Sequence, residues 1–371
     1  MISFENIETI KEIRQQPIIF KKIYETFVNN INHYKEFAQK YKNYKILLVG
    51  AGTSEFIGNA IQPYWYSKGL NIISVSSTEL ILNPKYYVRK NEKVVLVSFA
   101  RSGNSPESVA SLDVMNKYMK SYFNLIITCN KNGELAKQVN FLENIELILL
   151  PDESNDKGFA MTSSYSGMMM AANLIFSLMT DSLFFLNFED NLSKYSDAVH
   201  HIEQNIHMLE ELSFKRIIYL GSGVMKGIAQ ESSLKFLELT QGIIPTFFND
   251  ILGFRHGPKS ILNKESAVLV LRSSNSHSRK YEQDLIEELK NENRIKLILE
   301  LDYKGINKNQ NLKLFINTNL NDEIWIGVYY IYFAQLFAIM KSLSLNIDPD
   351  NPCPSGEVNR VVKGVRIHEY K

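Results

Sequence analysis

The feature that most constrains this chain is that it contains the same plan twice. Lys45–Gly52 reads KILLVGAG, and Arg216–Gly223, 171 residues later, reads RIIYLGSG. Each is an apolar run, a Gly-x-Gly and a helix-like stretch, the pattern of a buried parallel strand turning into a helix. The following strands pair too: Val94–Ser98 (VVLVS) with Ala267–Leu271 (AVLVL), Leu125–Thr128 (LIIT) with Ile295–Leu299 (IKLIL), and Ile145–Leu150 (IELILL) with Leu312–Ile316 (LKLFI). A long apolar helix closes each copy, near Ala160–Met179 and Ile324–Leu343. Strands alternating with helices require parallel sheets with covered faces. The predicted class is α/β, two tandem doubly wound parallel sheets with flanking helices and a C-terminal tail. Residues 1–40 read as an N-terminal helical segment, 41–190 as the first domain, 191–213 as a helical connector, 214–348 as the second domain and 349–371 as a tail. The tail's NPCPSG cannot be regular helix.

Composition narrows the function. A chain of 371 residues, 45% hydrophobic and 22% charged, suits two globular domains and excludes wholesale disorder. Lys+Arg of 41 against Asp+Glu of 40 leaves no basic surplus for a phosphate backbone, so nucleic acid is not the expected partner. Cys129 and Cys353 are too few for a disulfide scaffold or a zinc cluster, and read as free thiols of a reducing cytoplasm. Met1–Gln16 lacks the apolar region of a signal peptide. Ile324–Met340 reaches the lower edge of a membrane span. It contains Gln335 and several tyrosines, and no second span accompanies it, so a buried core or subunit-interface helix is expected rather than a membrane partner.

Gly50-Ala51-Gly52-Thr53-Ser54 follows a strand and opens a helix, where free N–H groups and the positive dipole end receive anions. The dinucleotide fingerprint needs a third glycine where Glu55 stands, and Lys226 in the second copy; no Walker A sequence occurs. A tight turn without a ligand explains this loop equally well. The second loop shifts the balance: Ser98-Phe99-Ala100-Arg101-Ser102-Gly103-Asn104-Ser105 packs three hydroxyls, a glycine and an arginine before Pro106, which marks Ser105 as a helix N-cap. Two hydroxyl-rich loops after strands of one sheet meet at its carboxyl edge, where open α/β sheets bind ligands. A phosphomonoester, compact and dianionic, fits such donors; ordinary capping serines are the bland alternative. The second copy retains Ser273, Ser274 and Ser276 without the glycine, and reads as having lost the cradle.

On Gln230–Gln241, Glu231, Lys235 and Glu238 share one helix face. Such a ladder is commonly a solvated, salt-bridged face. Next to a glycine turn it is also a carboxylate held ionised, able to take a carbon-bound proton. His256 lies in GFRHGPKS, between Arg255 and Lys259, in a loop shaped by glycine and proline; a loop histidine can protonate a ring oxygen or is surface decoration. His200 and His201 read as solvent-facing. No histidine pair has metal-ligand spacing with a carboxylate, so no metal is expected.

Taken together, GAGTS, ARSGNS, ESSLKFLE and FRHGPKS, in this order and within a two-copy layout, resemble the sugar isomerase (SIS) domain family over residues 40–371. GFAMTSS (Gly158–Ser164) and NPCPSGEVNRVVKGV resemble its tagatose-6-phosphate ketose/aldose isomerase group, also described as galactosamine-6-phosphate deaminases. The isomerase half of glucosamine-6-phosphate synthase is a further relative. The resemblance implies that Gly52, Thr53, Ser54, Arg101, Ser102, Gly103 and Ser105 hold the sugar phosphate, with Arg101 standing where the synthase has an amide. It implies Glu238 as the C1–C2 proton-transfer base, Lys235 as its partner one turn earlier, and His256 as the ring-opening residue supplied across a homodimer. It implies Lys363 as a tail lysine able to meet the open-chain ketose. No cofactor is implied. The expected reaction converts an amino-sugar 6-phosphate, galactosamine-6-phosphate foremost, to ketose 6-phosphate (tagatose-6-phosphate) and ammonia. A non-deaminating isomerase or aminotransferase, and a sugar-phosphate sensor, are the alternatives. Residues 1–40 are too short and insufficiently basic for the DNA-binding module a sensor would carry.

Overall fold

Both sheets are organised around the duplicated glycine turn. The computed structural model describes residues 6–141, 143–210, 212–304, 318–362 and 364–370, apart from the Met208 side chain. In chain order the elements are α1 (Glu8–Arg14), α2 (Gln16–Asn29), α3 (Ile31–Tyr41), β1 (Lys45–Gly50), α4 (Thr53–Ser67), β2 (Ile72–Ser76), α5 (Ser77–Leu82), β3 (Val94–Ala100), α6 (Pro106–Tyr118), β4 (Phe123–Thr128), α7 (Glu134–Lys137), β5 (Ile145–Leu149) and α8 (Ser163–Leu178). There follow α9 (Phe188–Asn205), β6 (Arg216–Leu220), α10 (Val224–Leu239), β7 (Thr246–Asn249), β8 (Ser266–Leu271), α11 (Ser276–Glu292), β9 (Leu297–Leu301) and α12 (Glu323–Ser344).

The chain divides into two compact units. One joins Arg14–Phe188 to the tail Cys353–Lys371; the other joins Met1–Ile13 to Glu189–Pro352. In the first, the sheet order is β2-β1-β3-β4-β5, all neighbours parallel. β3 is buried along its whole length and β1 nearly so, which is why these strands read as unbroken apolar runs. One face packs Leu47, Val49, Leu96, Met115 and Ile126 into a core. α8 is sealed almost end to end and packs on α2 and α4; its Asn173 accepts a 2.5 Å hydrogen bond from Trp65.

In the second unit the order is β7-β6-β8-β9, again all parallel. Ile218, Leu220, Val268, Leu285 and Ile286 form the core beneath α11. α12 is long and apolar enough, by length and composition, to cross a membrane; 94% of its most apolar stretch is buried, and it packs along α10. The amino end of α1 is capped from far along the chain, since Asp350 accepts from the Glu8 and Thr9 amides at 2.7 and 2.8 Å.

Two strands have no counterpart among the runs identified by sequence, β2 and β7. Each is short, and each lies outside the strand that carries the glycine turn. β9 begins two residues later than the Ile295–Leu299 run. The run Leu312–Ile316 lies outside the described residues.

Candidate functional site

β2 and β7 decide where each sheet can bind. From β1 the chain passes to β2 on one side and returns to β3 on the other, so the topological switch point lies between the carboxyl ends of β1 and β3. Those two strands carry the loops GAGTS and ARSGNS. In the second unit the equivalent point lies between β6 and β8.

At the first switch point the turn is built by glycines for steric reasons. A Cβ on Gly50 would lie 2.4 Å from the Ser54 carbonyl carbon, and Gly52 has φ +54°. The turn lets Thr53 and Ser54 open α4; both are buried, and Ser54 Oγ lies 3.9 Å from Met161 Sδ. In the neighbouring loop Gly103 has φ +65° and packs against Gly133, where a Cβ would lie 2.5 Å from the Ser102 carbonyl. Asn130 donates to that same carbonyl at 2.8 Å, and Leu135 N–H donates to the Gly103 carbonyl at 3.1 Å. The loop is therefore fixed from below by residues 130–135. Ser105 stands at the N-cap position of α6, with Pro106 following as expected, but its hydroxyl donates to Ser108 Oγ at 2.5 Å instead of capping the helix.

Arg101 lies beside this loop and has unexpected partners. It is only 6% exposed, and its guanidinium donates to the carbonyls of Phe159 at 3.3 Å and Arg360 at 2.8 Å. Arg360 in turn donates from Nε to the Gly158 carbonyl at 3.1 Å and from Nη2 to the Asp156 carbonyl. The buried Asp156 carboxylate gathers the amino end of α8, accepting from Thr162 N at 2.7 Å, Ser163 Oγ at 2.6 Å and Ser164 N at 2.9 Å. Cys129 is buried in the same region, and burial pushes its thiol up to about 12, so it is not a reactive thiolate.

The second unit supplies the charged groups. Gly223 (φ +58°) starts α10 with the same turn, and a Cβ on Gly221 would lie 2.4 Å from the Met225 carbonyl oxygen. The Glu231–Lys235–Glu238 ladder is not a solvated face. Glu231 is fully buried and the Lys235 side chain is 1% exposed, with Nζ 3.6 Å from the Glu231 carboxylate. Lys235 also donates to Glu238, whose side chain keeps 25% of its exposure in the last turn of the helix. Lys235 thus places a buried ammonium between two carboxylates, one sealed and one reaching solvent.

His256 is exposed, at the tip of a loop held firmly below it. Phe254 is completely buried, and Asp250 accepts from Gly253 N–H at 2.6 Å. Burial works against the Asp250 charge, but bonds from Gly253 and Lys226 outweigh it and hold the carboxyl below its ordinary range. Lys259 pairs with Glu288 and Glu292, and Arg255 lies 2.8 Å from Glu288. His200 is exposed and hydrogen-bonds Gln204 at 2.9 Å. Lys363 lies outside the described residues. Among the described residues, no group of three or more His, Cys, Asp or Glu side chains is arranged to hold a metal ion.

Asp156 and Arg360, prominent in the geometry, were not singled out by sequence. Asp156 left a faint signal in standing shortly before a Thr-Ser-Ser run that opens a helix.

Comparison with known proteins adds to this picture. The SIS domain model matches residues 41–178 and 212–344. A D-galactosamine-6-phosphate deaminase of Shewanella sp. (strain ANA-3) is 37% identical over 98% of this chain and 92% of its own length. One from Escherichia coli O157:H7 is 36% identical over 98% and 96%. The crystal structure of tagatose-6-phosphate ketose/aldose isomerase from Escherichia coli superposes with a TM-score of 0.86 at 32% identity, covering 100% of this chain and 99% of that one.

Proposed function

The chain belongs to the SIS domain family, and from that premise we propose that it is a deaminating aldose–ketose isomerase, converting galactosamine-6-phosphate and water to tagatose-6-phosphate and ammonia. The observation that carries the reading is the α10 ladder: a buried lysine paired with a carboxylate that still reaches solvent. A protein that only sensed sugar phosphates would have no use for a base maintained at the expense of burying two charges, Glu231 and Lys235. The two activities named for the relatives meet in this reaction, whose ketose product is tagatose-6-phosphate.

Gly52, Thr53, Ser54, Ser102, Gly103 and Ser105 hold the phosphate, through hydroxyls and the positive amino end of α4. Anchoring that end makes proton transfer at the other effectively intramolecular. His256 assists ring opening, and its exposure suits service to a second copy of the chain in a homodimer. Glu238 removes the C2 proton of the open-chain aldehyde to give an enolamine and returns it to C1. The resulting C2 imine takes up water and releases ammonia, leaving the ketose. Lys235 donates to Glu238 and orients its carboxylate, and Lys363 meets the open-chain sugar from the tail. No cofactor enters this sequence, and every reactant is polar.

The test is ammonia release from purified protein given galactosamine-6-phosphate and glucosamine-6-phosphate in parallel. Release is expected, faster with the galacto sugar. Isomerisation without ammonia would replace the reading with a plain ketose/aldose isomerase. Glu238→Gln should lower kcat by roughly 10²–10⁴-fold with sugar-phosphate binding retained; near-normal turnover would remove Glu238 as the base.

A further inference from the structure

We infer that Arg101 and Arg360 form a single latch that fastens the C-terminal tail onto the sugar-phosphate unit, and that Arg101 is a positioning residue for the deamination, not a phosphate ligand. The inference rests on the reaction proposed above.

Three observations carry it. The first is the partner set. The Arg101 guanidinium is nearly sealed from solvent and is directed at the Phe159 and Arg360 carbonyls. Arg360 completes the exchange by donating to Gly158 and Asp156 carbonyls. Two arginines thus tie loop 101–105, segment 156–159 and the tail together, each supplying the rigid fork that bridges two carbonyl acceptors.

The second is that each of the other segments has fixings of its own. Asn130 and Gly133 fix the ARSGNS loop, and Asp156 fixes the amino end of α8. What Arg101 adds is the tail. Among the described residues, the tail's other ties to this unit include a surface ion pair, Lys117–Glu369 at 2.9 Å, and the partly buried Tyr370, which packs on the core edge beside Tyr118. An exposed ion pair of that kind is worth little.

The third is internal. Arg272 stands 171 residues after Arg101, in RSSNS against RSGNS. It is also buried, and it also turns away from the loop's outer face, pairing with Glu282 at 3.1 Å and Glu300 at 3.0 Å. In both copies, then, the arginine after the third-position strand is a tie beneath the loop. In the first copy the tie has been turned to the tail.

The experiment compares R101A, R360A and the double variant. It reads kcat and KM for galactosamine-6-phosphate, inhibition by inorganic phosphate, and amide exchange of residues 353–362. A latch predicts that each single variant speeds tail exchange at least about tenfold and lowers kcat about tenfold, with phosphate inhibition within about twofold of wild type. The double variant should be no worse than either single one, because one device is broken once. If R101A alone weakens inorganic phosphate about tenfold while tail exchange stays at the wild-type rate, Arg101 is a phosphate ligand and the inference fails. Additive losses in kcat also overturn it. Should R101A not fold, R360A alone decides, because its side chain lies at the surface: wild-type exchange and kcat there would overturn the latch. A wild-type protein that released no ammonia would sink the deaminase reading, while the exchange measurement would still test the latch.

Discussion

The two switch points start from the same turn and end in opposite chemistry. Gly50 and Gly52 correspond to Gly221 and Gly223, with nearly equal φ values and the same close approach to the following helix. After the turn the copies part. Thr53 and Ser54 in the first become Val224 and Met225 in the second; Ala60, Tyr64 and Ser67 in the first become Glu231, Lys235 and Glu238. The second loop parts too. Where Gly103 takes a left-handed conformation between Ser102 and Ser105, whose hydroxyls bond only neutral groups, the second copy has Ser274, and Ser273 is engaged by carboxylates: its amide donates to Glu282 at 3.0 Å and its hydroxyl to Glu323 at 2.8 Å. A dianion would meet negative charge there. The glycines are therefore evidence of fold, and the residues after them are evidence of function. Duplication supplied two equivalent edges, of which one kept the hydroxyls and the other a charged ladder.

The ladder gives the largest test of this division. Lys235→Ala removes the cation beside the buried Glu231 and should cost roughly 3–5 kcal/mol of stability as well as deaminase activity. Replacing charges together, as Glu231→Gln with Lys235→Met, should restore most of the melting temperature but none of the turnover. If the double variant is as unstable as Lys235→Ala, the ladder is structural and the second copy has no distinct chemical role.

A smaller effect comes from exchanging the loops' one decisive difference. Gly103→Ser imposes a side chain at φ +65°, at about 1–2 kcal/mol, and should weaken inhibition by inorganic phosphate about tenfold. The reverse change, Ser274→Gly, should create no phosphate site, because Glu282 and Glu323 remain. A new phosphate affinity in that variant would show that glycine, not the surrounding charge, makes the cradle.

Most of this architecture was legible in the sequence because buried parallel strands and strand-to-helix glycines leave residue-type signatures. β2 and β7 escaped for physical reasons. β7 is four residues long and only half-buried, and β2 mixes serines into its apolar run, so neither shows a continuous apolar stretch. Thr53, Ser54, Lys235 and Glu238 were visible as chemistry-bearing types beside such turns. Arg360 and the direction of Arg101 were not, since both act on backbone carbonyls, which any residue provides. The burial of Glu231 and Lys235 was equally hidden: a Glu-Lys-Glu ladder reads the same whether water or α12 lies beside its helix.

The smallest test concerns how each copy fixes its loops. The first copy ties them largely through neutral carbonyls, whereas the His256 loop is tied through carboxylates. Glu288 is held below its ordinary range chiefly by the hydrogen bond from Lys259, with burial opposing. For Lys259 burial works downward, but bonds from Glu288 and Glu292 prevail and raise it. A depressed carboxylate stabilises the fold above the ordinary carboxylate range and loses that contribution as pH falls through its lowered value. A raised lysine contributes below the ordinary lysine range and loses it as pH rises through its raised value. The melting difference between wild type and Glu288→Gln should therefore be about 1–2 °C and flat across neutral pH. It should shrink below the carboxylate range and again at strongly alkaline pH. A difference that kept its size into acid would mean that Glu288 supports the His256 loop by packing alone, and the contrast between a carbonyl-tied and a charge-tied copy would fall with it.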